Sequence, residues 1–301
     1  MTYAVGIVPA KLAAIAELQR RGASVTLLLD SLAMVRAVAE AAAGLDATFS
    51  VLVEIDTGGR RGGVEPESPA LLAIGRAIYG QAPRLQLKGV LTHAGQSYHG
   101  RSAKEIEAIA EQERAGVVRA AERVRAASLP CPVVSAGSTP TVIQARALDG
   151  VTEVRPGVYT LCDLDQVGLG SCDVGDIAAS VLATVIGHNR SAGRVLVDAG
   201  GLALSKDVSA QEFMPDVGYG LVCPAEGGAP IPGLLVDSVH QEHGLIAART
   251  GELPWDRLPI GARVRILPNH VCMTVAPYDR YHVVEGGTDV VAVWDKATGW
   301  H

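Results

Sequence analysis

The run ILPNHVCMTV (266–275) sets His270 two positions before Cys272, behind an apolar stretch that ends in Pro268 and Asn269. On an extended chain, residues i and i+2 share a face, so the pair can offer an imidazole and a thiolate to one Zn²⁺ ion. The same spacing also suits a half-buried cysteine beside a polar neighbour, with no metal involved. Four further segments concentrate polar side chains after apolar runs. VEIDTGGRRGGV (53–64) ends in a glycine-rich turn with Arg60 and Arg61, and its glycines do not fit GxGxxG, so a dinucleotide fingerprint is not supported. THAGQSYH (92–99) gathers His93, Gln96, Ser97, Tyr98 and His99, more hydrogen-bonding groups than a turn requires. SAGSTPT (135–141) brings Gly137, Ser138 and Thr139 to Pro140, a good first helical residue, which makes either a phosphate cradle or an ordinary N-cap. EVRPGVYTLCDLDQ (153–166) again carries an arginine, Arg155, and a glycine, Gly157, past a short β-branched run.

These segments need a scaffold, and the first half of the chain predicts one. Strand-like runs YAVGI (3–7), SVTLLL (24–29), FSVLVEI (49–55), LQLKGVLT (85–92), PVVS (132–135) and VTEV (151–154) alternate with alanine-rich amphipathic stretches near 9–21, 31–43, 67–80, 101–128 and 140–148. That is the rhythm of βα units around a parallel sheet, where chemistry collects at the C-terminal ends of strands. About six of the eight units of a (β/α)8 barrel are present, so the fold expected is an incomplete TIM-like barrel over residues 1–168. From about residue 170 helical periodicity gives way to short runs such as IAASVLATVI (177–186), RVLVDAG (194–200), GLLVDSV (233–239), ARVRILP (262–268) and DVVAVW (289–294). A mostly β domain is expected over 169–301, packing with the barrel.

Bulk properties narrow the partners. The 301 residues are 48% hydrophobic with a formal charge of −6, and the basic residues form no stripe, which argues against nucleic acid. Apolar windows such as 24–45 are broken by Asp30, Arg36 and Glu40, so membrane insertion is not expected. Five widely spaced cysteines without a CxxC suit free thiols and a cytoplasmic setting. A small molecule is the expected partner.

Taken in order, VEIDTGGRRGGV, THAGQSY, SAGSTPT, EVRPGVYTLCDLDQ, VLVDAGGLALSKD (195–207), QEHG (241–244) and PNHVC (268–272) resemble the D-serine dehydratase and D-threonine aldolase family. The resemblance runs from about residue 1 to residue 295. It implies pyridoxal 5'-phosphate enzymes with an alanine-racemase-type barrel and a C-terminal β domain, acting on β-hydroxy D-amino acids and forming a homodimer. At matching positions it assigns Ser138, Thr139 and the backbone of Gly137 and Gly157 to the cofactor phosphate, with Arg61, His93, Tyr98, Arg155 and Tyr159 beside the cofactor. His270 and Cys272 fall at the metal position, for Zn²⁺ or Mn²⁺, and the His-x-Cys form resembles the dehydratase branch, where the aldolase branch has an acid. Gln96, Asp198, Glu242 and His243 are assigned to the substrate or to residues supporting it. The implied reaction is metal-assisted loss of the β-hydroxyl to give a 2-oxo acid and ammonia, with D-serine the first expected substrate and D-threonine or a 3-hydroxyaspartate also compatible. Retro-aldol cleavage is the alternative.

One feature of the family is missing. Its members carry the lysine that binds the cofactor covalently in a segment resembling Pro-His-x-Lys-x-His, and no such segment occurs here. Lys11 follows Pro9 on the first predicted helix and Lys206 falls in the β domain. The expectation is that Met1 lies within a barrel strand of a longer enzyme and that the shortened chain is inactive. A lysine-free pseudoenzyme that binds pyridoxal phosphate is the other reading.

Overall fold

The computed structural model describes residues 7–297. The chain divides into two compact units, residues 1–157 and 158–301. The break falls earlier than the expected 168/169 because residues 158–168 are bonded into the second unit. Ala178 N–H donates to Leu161 O, Asp165 N–H donates to Asn269 O, and Leu164 packs with Ala210 and Val217.

In the first unit, α1 (Leu12–Arg20), β1 (Thr26–Leu29), α2 (Leu32–Leu45), β2 (Phe49–Glu54), α3 (Pro69–Tyr79), β3 (Leu85–Leu91), α4 (Ala103–Ala126), β4 (Val133–Ala136), α5 (Thr139–Gln144) and β5 (Glu153–Val154) alternate as predicted. Ser31, Ser68, Ser102 and Ser138 cap α2 to α5, each accepting a first-turn amide. The five strands pair in parallel in sequence order. YAVGI (3–7) lies outside the described residues except for Ile7. The expected count of six therefore stands at five among the described residues. α5 ends at Gln144, four residues short of the predicted stretch, and β5 is only two residues long.

Side-chain alternation gives the sheet two different faces. Leu27, Leu29, Phe49, Val51, Val53, Leu85, Leu87, Val90 and Val134 bury one face under the helices. On the other face Leu28, Leu52 and Leu91 form a small apolar cluster with Val133 against it. Two residues further along each strand, on that same inner face, stand Asp30, Glu54, His93 and Ser135. The inner face thus changes from apolar to polar at the C-terminal strand ends, which is where the candidate segments begin.

The second unit contains α6 (Leu164–Gly168), β6 (Val181–Asn189), β7 (Arg194–Val197), α7 (Gly201–Leu204), β8 (Gly220–Pro224), β9 (Leu234–Val239), β10 (Gly244–Ala248), β11 (Arg263–Pro268), α8 (Val271–Val275), β12 (Arg280–Val284) and β13 (Val290–Asp295). Six strands close an antiparallel barrel in the order β10-β7-β6-β11-β8-β9. Val195, Val197, Val222, Val236, Ile246, Val264 and Ile266 fill it. β12 and β13 form a separate hairpin sheet. The sequence reading lacks β8, β10 and β12: GLVCP and GLIAA are short and glycine-led, and RYHVV is polar in its first half. Among the described residues no helix is long and apolar enough to cross a membrane.

A bulge sets the parity of β3. Val51 pairs with Leu87 and Leu52 with Gly89, so Lys88 is skipped and the strand's faces exchange. Gly89 has φ +141°, and a Cβ there would lie 1.9 Å from Val133 O in the neighbouring strand. Gly89→Ala is therefore expected to destabilise the first unit by about 2–4 kcal/mol, read as a lower denaturant midpoint at unchanged slope.

Candidate active site

The polar strand ends of the first unit form one connected network. Arg155, following β5, donates from Nε to Ser135 Oγ at 2.7 Å and from a terminal nitrogen to Thr92 O. Ser135 in turn donates to Glu153 Oε1 at 2.5 Å. Burial lowers the Arg155 pKa, and the carboxylates of Glu113, Glu153 and Glu54 work against that loss. A guanidinium taken out of water needs such partners. His93 is driven toward its neutral form first by burial and then by the charges of Arg61 and Arg155, and its ring is hydrogen-bonded to the backbone of Gly137.

Glu54, absent from the predicted set, is 4% exposed and stands 3.9 Å from the Arg61 guanidinium. Burial raises its pKa and Arg61 lowers it. A charged residue in the mostly apolar run FSVLVEI is the signal that marks it. Two buried acceptors here, Glu54 Oε2 and Gln96 Oε1, have no hydrogen-bond partner. Buried oxygens are seldom left so. With the cationic side chains of Arg61 and Arg155 nearby, they fit a ligand that carries both an anionic group and an N–H donor, as pyridoxal phosphate with an amino acid does.

The Gly137–Thr141 segment takes the N-cap form of the two that the sequence allows. Ser138 is the N-cap of α5: its Oγ accepts from Thr141 N at 3.3 Å while Thr141 Oγ1 accepts from Ser138 N at 2.9 Å. The Gly137 amide points inward and donates to Glu113 Oε1 at 3.1 Å, so it is not a free phosphate donor. Ser138 Oγ meets Ser97 Oγ at 2.9 Å, joining the loops after β3 and β4 through hydroxyls, and Thr139 is buried. Tyr98 is half-buried beside Ser97. Gly157 closes the first unit; Tyr159 belongs to the second, where it is exposed.

In the second unit, His270 and Cys272 are adjacent, but not as i and i+2 of a strand. β11 ends at Pro268, His270 is the extended N-cap residue of α8, and Cys272 sits in the first turn of that helix, exposed. The helix starts here because Thr274 N–H donates to His270 O and Asp163 Oδ2 accepts from Val271 N at 2.7 Å. His270 Nδ1 lies 2.8 Å from Asp207 Oδ2, and the imidazole is also hydrogen-bonded to Cys272. Those bonds push its pKa up to about 9, Cys272 contributing most, against the effect of burial. Asn269, fully buried, accepts from Ala210 N at 2.9 Å and donates to Gly218 O at 2.6 Å. Asp165, pushed up to about 6 by burial and by Asp163, completes an acidic surround. Imidazole with thiolate is a zinc-type donor set, and a carboxylate behind the imidazole is its usual orienting partner. Among the described residues no group of three or more His, Cys, Asp or Glu side chains is placed to hold a metal.

The remaining candidates lie elsewhere in the second unit. Asp198 is exposed and braces β6 and β7 by accepting from Thr184 N at 2.7 Å. Glu242 and His243 are exposed in the turn between β9 and β10, where His243 O accepts from His240 N.

A parallel sheet with polar strand ends, followed by a closed antiparallel barrel, is the architecture of the alanine-racemase class. Residues 5–164 match the family of the alanine racemase N-terminal domain, and residues 178–284 match the serine dehydratase domain. The chain belongs to the D-serine dehydratase and D-threonine aldolase family of pyridoxal-phosphate enzymes. It is 46% identical to D-threo-3-hydroxyaspartate dehydratase of Delftia sp. HT23 over 99% of this chain and 78% of that protein. The solved structure of that dehydratase superposes with a TM-score of 0.93. D-serine dehydratase of Dictyostelium discoideum is 29% identical over 84% of this chain and 65% of its own length. D-threonine aldolase of Filomicrobium marinum is 30% identical, with a TM-score of 0.79 over 96% of this chain and 73% of that one. Solved forms of D-threo-3-hydroxyaspartate dehydratase include a Cys-to-Ala variant in the metal-free form and a His-to-Ala variant, at two positions spaced like His270 and Cys272.

Asp163→Ala leaves the Val271 and Gln166 amides without their acceptor. The expected loss is about 2–4 kcal/mol in the second unit, with Asp163→Asn costing less because one amide oxygen remains. Chemical denaturation of both variants checks it.

Proposed function

We propose that the protein is a metal-dependent pyridoxal-phosphate lyase that eliminates the β-hydroxyl of a D-amino acid. D-threo-3-hydroxyaspartate is the foremost substrate, because the relative sharing 46% of residues over nearly the whole chain is named for it. The observation that carries the reading is the His270–Cys272 pair with Asp207 behind the imidazole. The resemblance implies an acid at the Cys272 position in the aldolase branch, so the thiol favours elimination over retro-aldol cleavage.

Each residue group has a task. Asp207 orients the His270 ring, and Asp163 and Asn269 fix the backbone on either side of it. A divalent metal held by His270 and Cys272 supplies a Lewis acid for the departing hydroxyl. In the first unit Arg61 and Arg155 provide lasting positive charge, His93 a neutral hydrogen-bonding ring, and Ser97 and Ser138 a pair of hydroxyls. Pyridoxal phosphate supplies the electron sink for bond breaking at the substrate Cα. Arg155, whose guanidinium is a poor proton donor, would leave a cofactor ring nitrogen beside it unprotonated, and a weaker electron sink of that kind would call for the Lewis acid that His270 and Cys272 would hold.

The segments following β2 to β5 contain no lysine. That favours a second reading for these 301 residues taken alone, in which the cofactor is held without a covalent bond. Borohydride treatment of the cofactor-loaded chain is then expected to leave the pyridoxal phosphate dialysable, and covalent fixation to a lysine would rule this reading out.

Cys272→Ala is expected to lower Zn²⁺ affinity at least about 100-fold, beyond the loss of an outer partner, while pyridoxal-phosphate binding is unchanged. Competitive zinc titration reads this independently of turnover. In protein isolated from its source, D-threo-3-hydroxyaspartate is expected to yield a 2-oxo acid and ammonia. Glycine and an aldehyde would instead select the retro-aldol reaction.

A further inference from the structure

Glu113 is a buried carboxylate, 2% exposed, in the middle of α4. No surface role suits it. Its Oε1 accepts from Ala94 N at 2.8 Å and from Gly137 N at 3.1 Å, and the Thr141 hydroxyl is hydrogen-bonded to the same carboxylate. Ala94 lies in the loop after β3 and Gly137 in the loop after β4, so one oxygen bridges two loops beyond the end of their strand pairing. The neighbouring helical residue repeats the device: Gln112 Nε2 donates to Thr57 O at 2.8 Å, in the loop after β2. Three residues on from Glu113, a Cβ at Gly116 would stand 2.7 Å from Thr57 Cγ2, so the helix presses directly on that loop. A single turn of α4 thus clamps three successive strand-end loops.

The loops joined by Glu113 carry the groups that face each other across the site. Ser97 is three residues beyond Ala94, Ser138 is next to Gly137, and their hydroxyls are 2.9 Å apart. His93 directly precedes Ala94 and its ring is hydrogen-bonded to the Gly137 backbone. A carboxylate taking both amides fixes the spacing of the two loops and with it the contact between their buried hydroxyls. The geometry points to Glu113 as the positioning residue of the cofactor site: by accepting the Ala94 and Gly137 amides together it sets Ser97 and His93 against Ser138. This role rests on the cofactor reading above.

The test uses the full chain with Glu113→Ala, Glu113→Gln and Glu113→Asp, at a temperature where each is folded by circular dichroism. Without ligand, exchange of the Ala94 and Gly137 amides is followed; with ligand, pyridoxal 5'-phosphate is titrated by absorbance and competed with inorganic phosphate. Glu113→Gln keeps an amide oxygen at the bridge and is expected to bind within about threefold of the parent. Glu113→Ala, and Glu113→Asp, one methylene too short to span both amides, are expected to weaken binding about tenfold or more and to speed both amides' exchange. Glu113→Ala or Glu113→Asp binding like the parent overturns the proposal, as does Glu113→Gln losing as much as they do. Should Glu113→Ala not fold, the Gln and Asp variants decide alone. A parent chain that fails to bind pyridoxal phosphate contradicts the cofactor reading, whereas the ligand-free exchange still decides whether Glu113 locks the loops.

Discussion

The 2.8 Å contact between His270 Nδ1 and Asp207 Oδ2 fixes the ring of a histidine that otherwise merely shares a turn with Cys272. An imidazole free to rotate presents either nitrogen; one held by a carboxylate presents the other nitrogen in a fixed direction. That hold has value only if the backbone of His270 is itself fixed. Asn269 spends its side chain on Ala210 and Gly218, and Asp163 takes the Val271 amide, so the residues before and after His270 are both tied to buried groups. Removing either tie would cost the unit stability before it cost His270 and Cys272 their geometry.

The first unit reaches a similar result by another route. Its strands carry leucines on the inner face until the last step, where the same face turns to Asp30, Glu54, His93 and Ser135. A half-buried arginine can live there because Ser135, Thr92 O and three carboxylates answer its charge. Both units therefore place their chemistry where regular backbone pairing stops and use buried carboxylates to hold the amides that pairing leaves over.

Much of this was legible in the sequence, and what was not has physical causes. The βα alternation, the β-rich second half and the clustering of polar segments after strands follow from side-chain periodicity, which is local. Two inferences from spacing failed locally: His270 and Cys272 meet across a strand-to-helix turn, and the Gly137 amide turns to a carboxylate instead of outward. Glu113 carried a readable signal. It falls on the stripe Ile106, Ala110, Val117, Ala120 and Val124 that α4 buries, and a charged residue on such a stripe has to be satisfied. Asp207 closes the segment VLVDAGGLALSKD, but nothing local tied it to His270, since 63 residues separate them and only the folded barrel brings them together. Short strands such as β8 and β10 escaped because closure of a barrel, not their own β-propensity, makes them strands.

The zinc K-edge absorption spectrum of the zinc-loaded chain tests the central claim most directly, because it reads the ligands of the metal without depending on turnover. The account predicts a first shell with sulfur at about 2.3 Å and imidazole nitrogen at about 2.0–2.1 Å. A shell of oxygen and nitrogen alone, with no sulfur, would contradict it and leave His270 and Cys272 as two residues that share a turn.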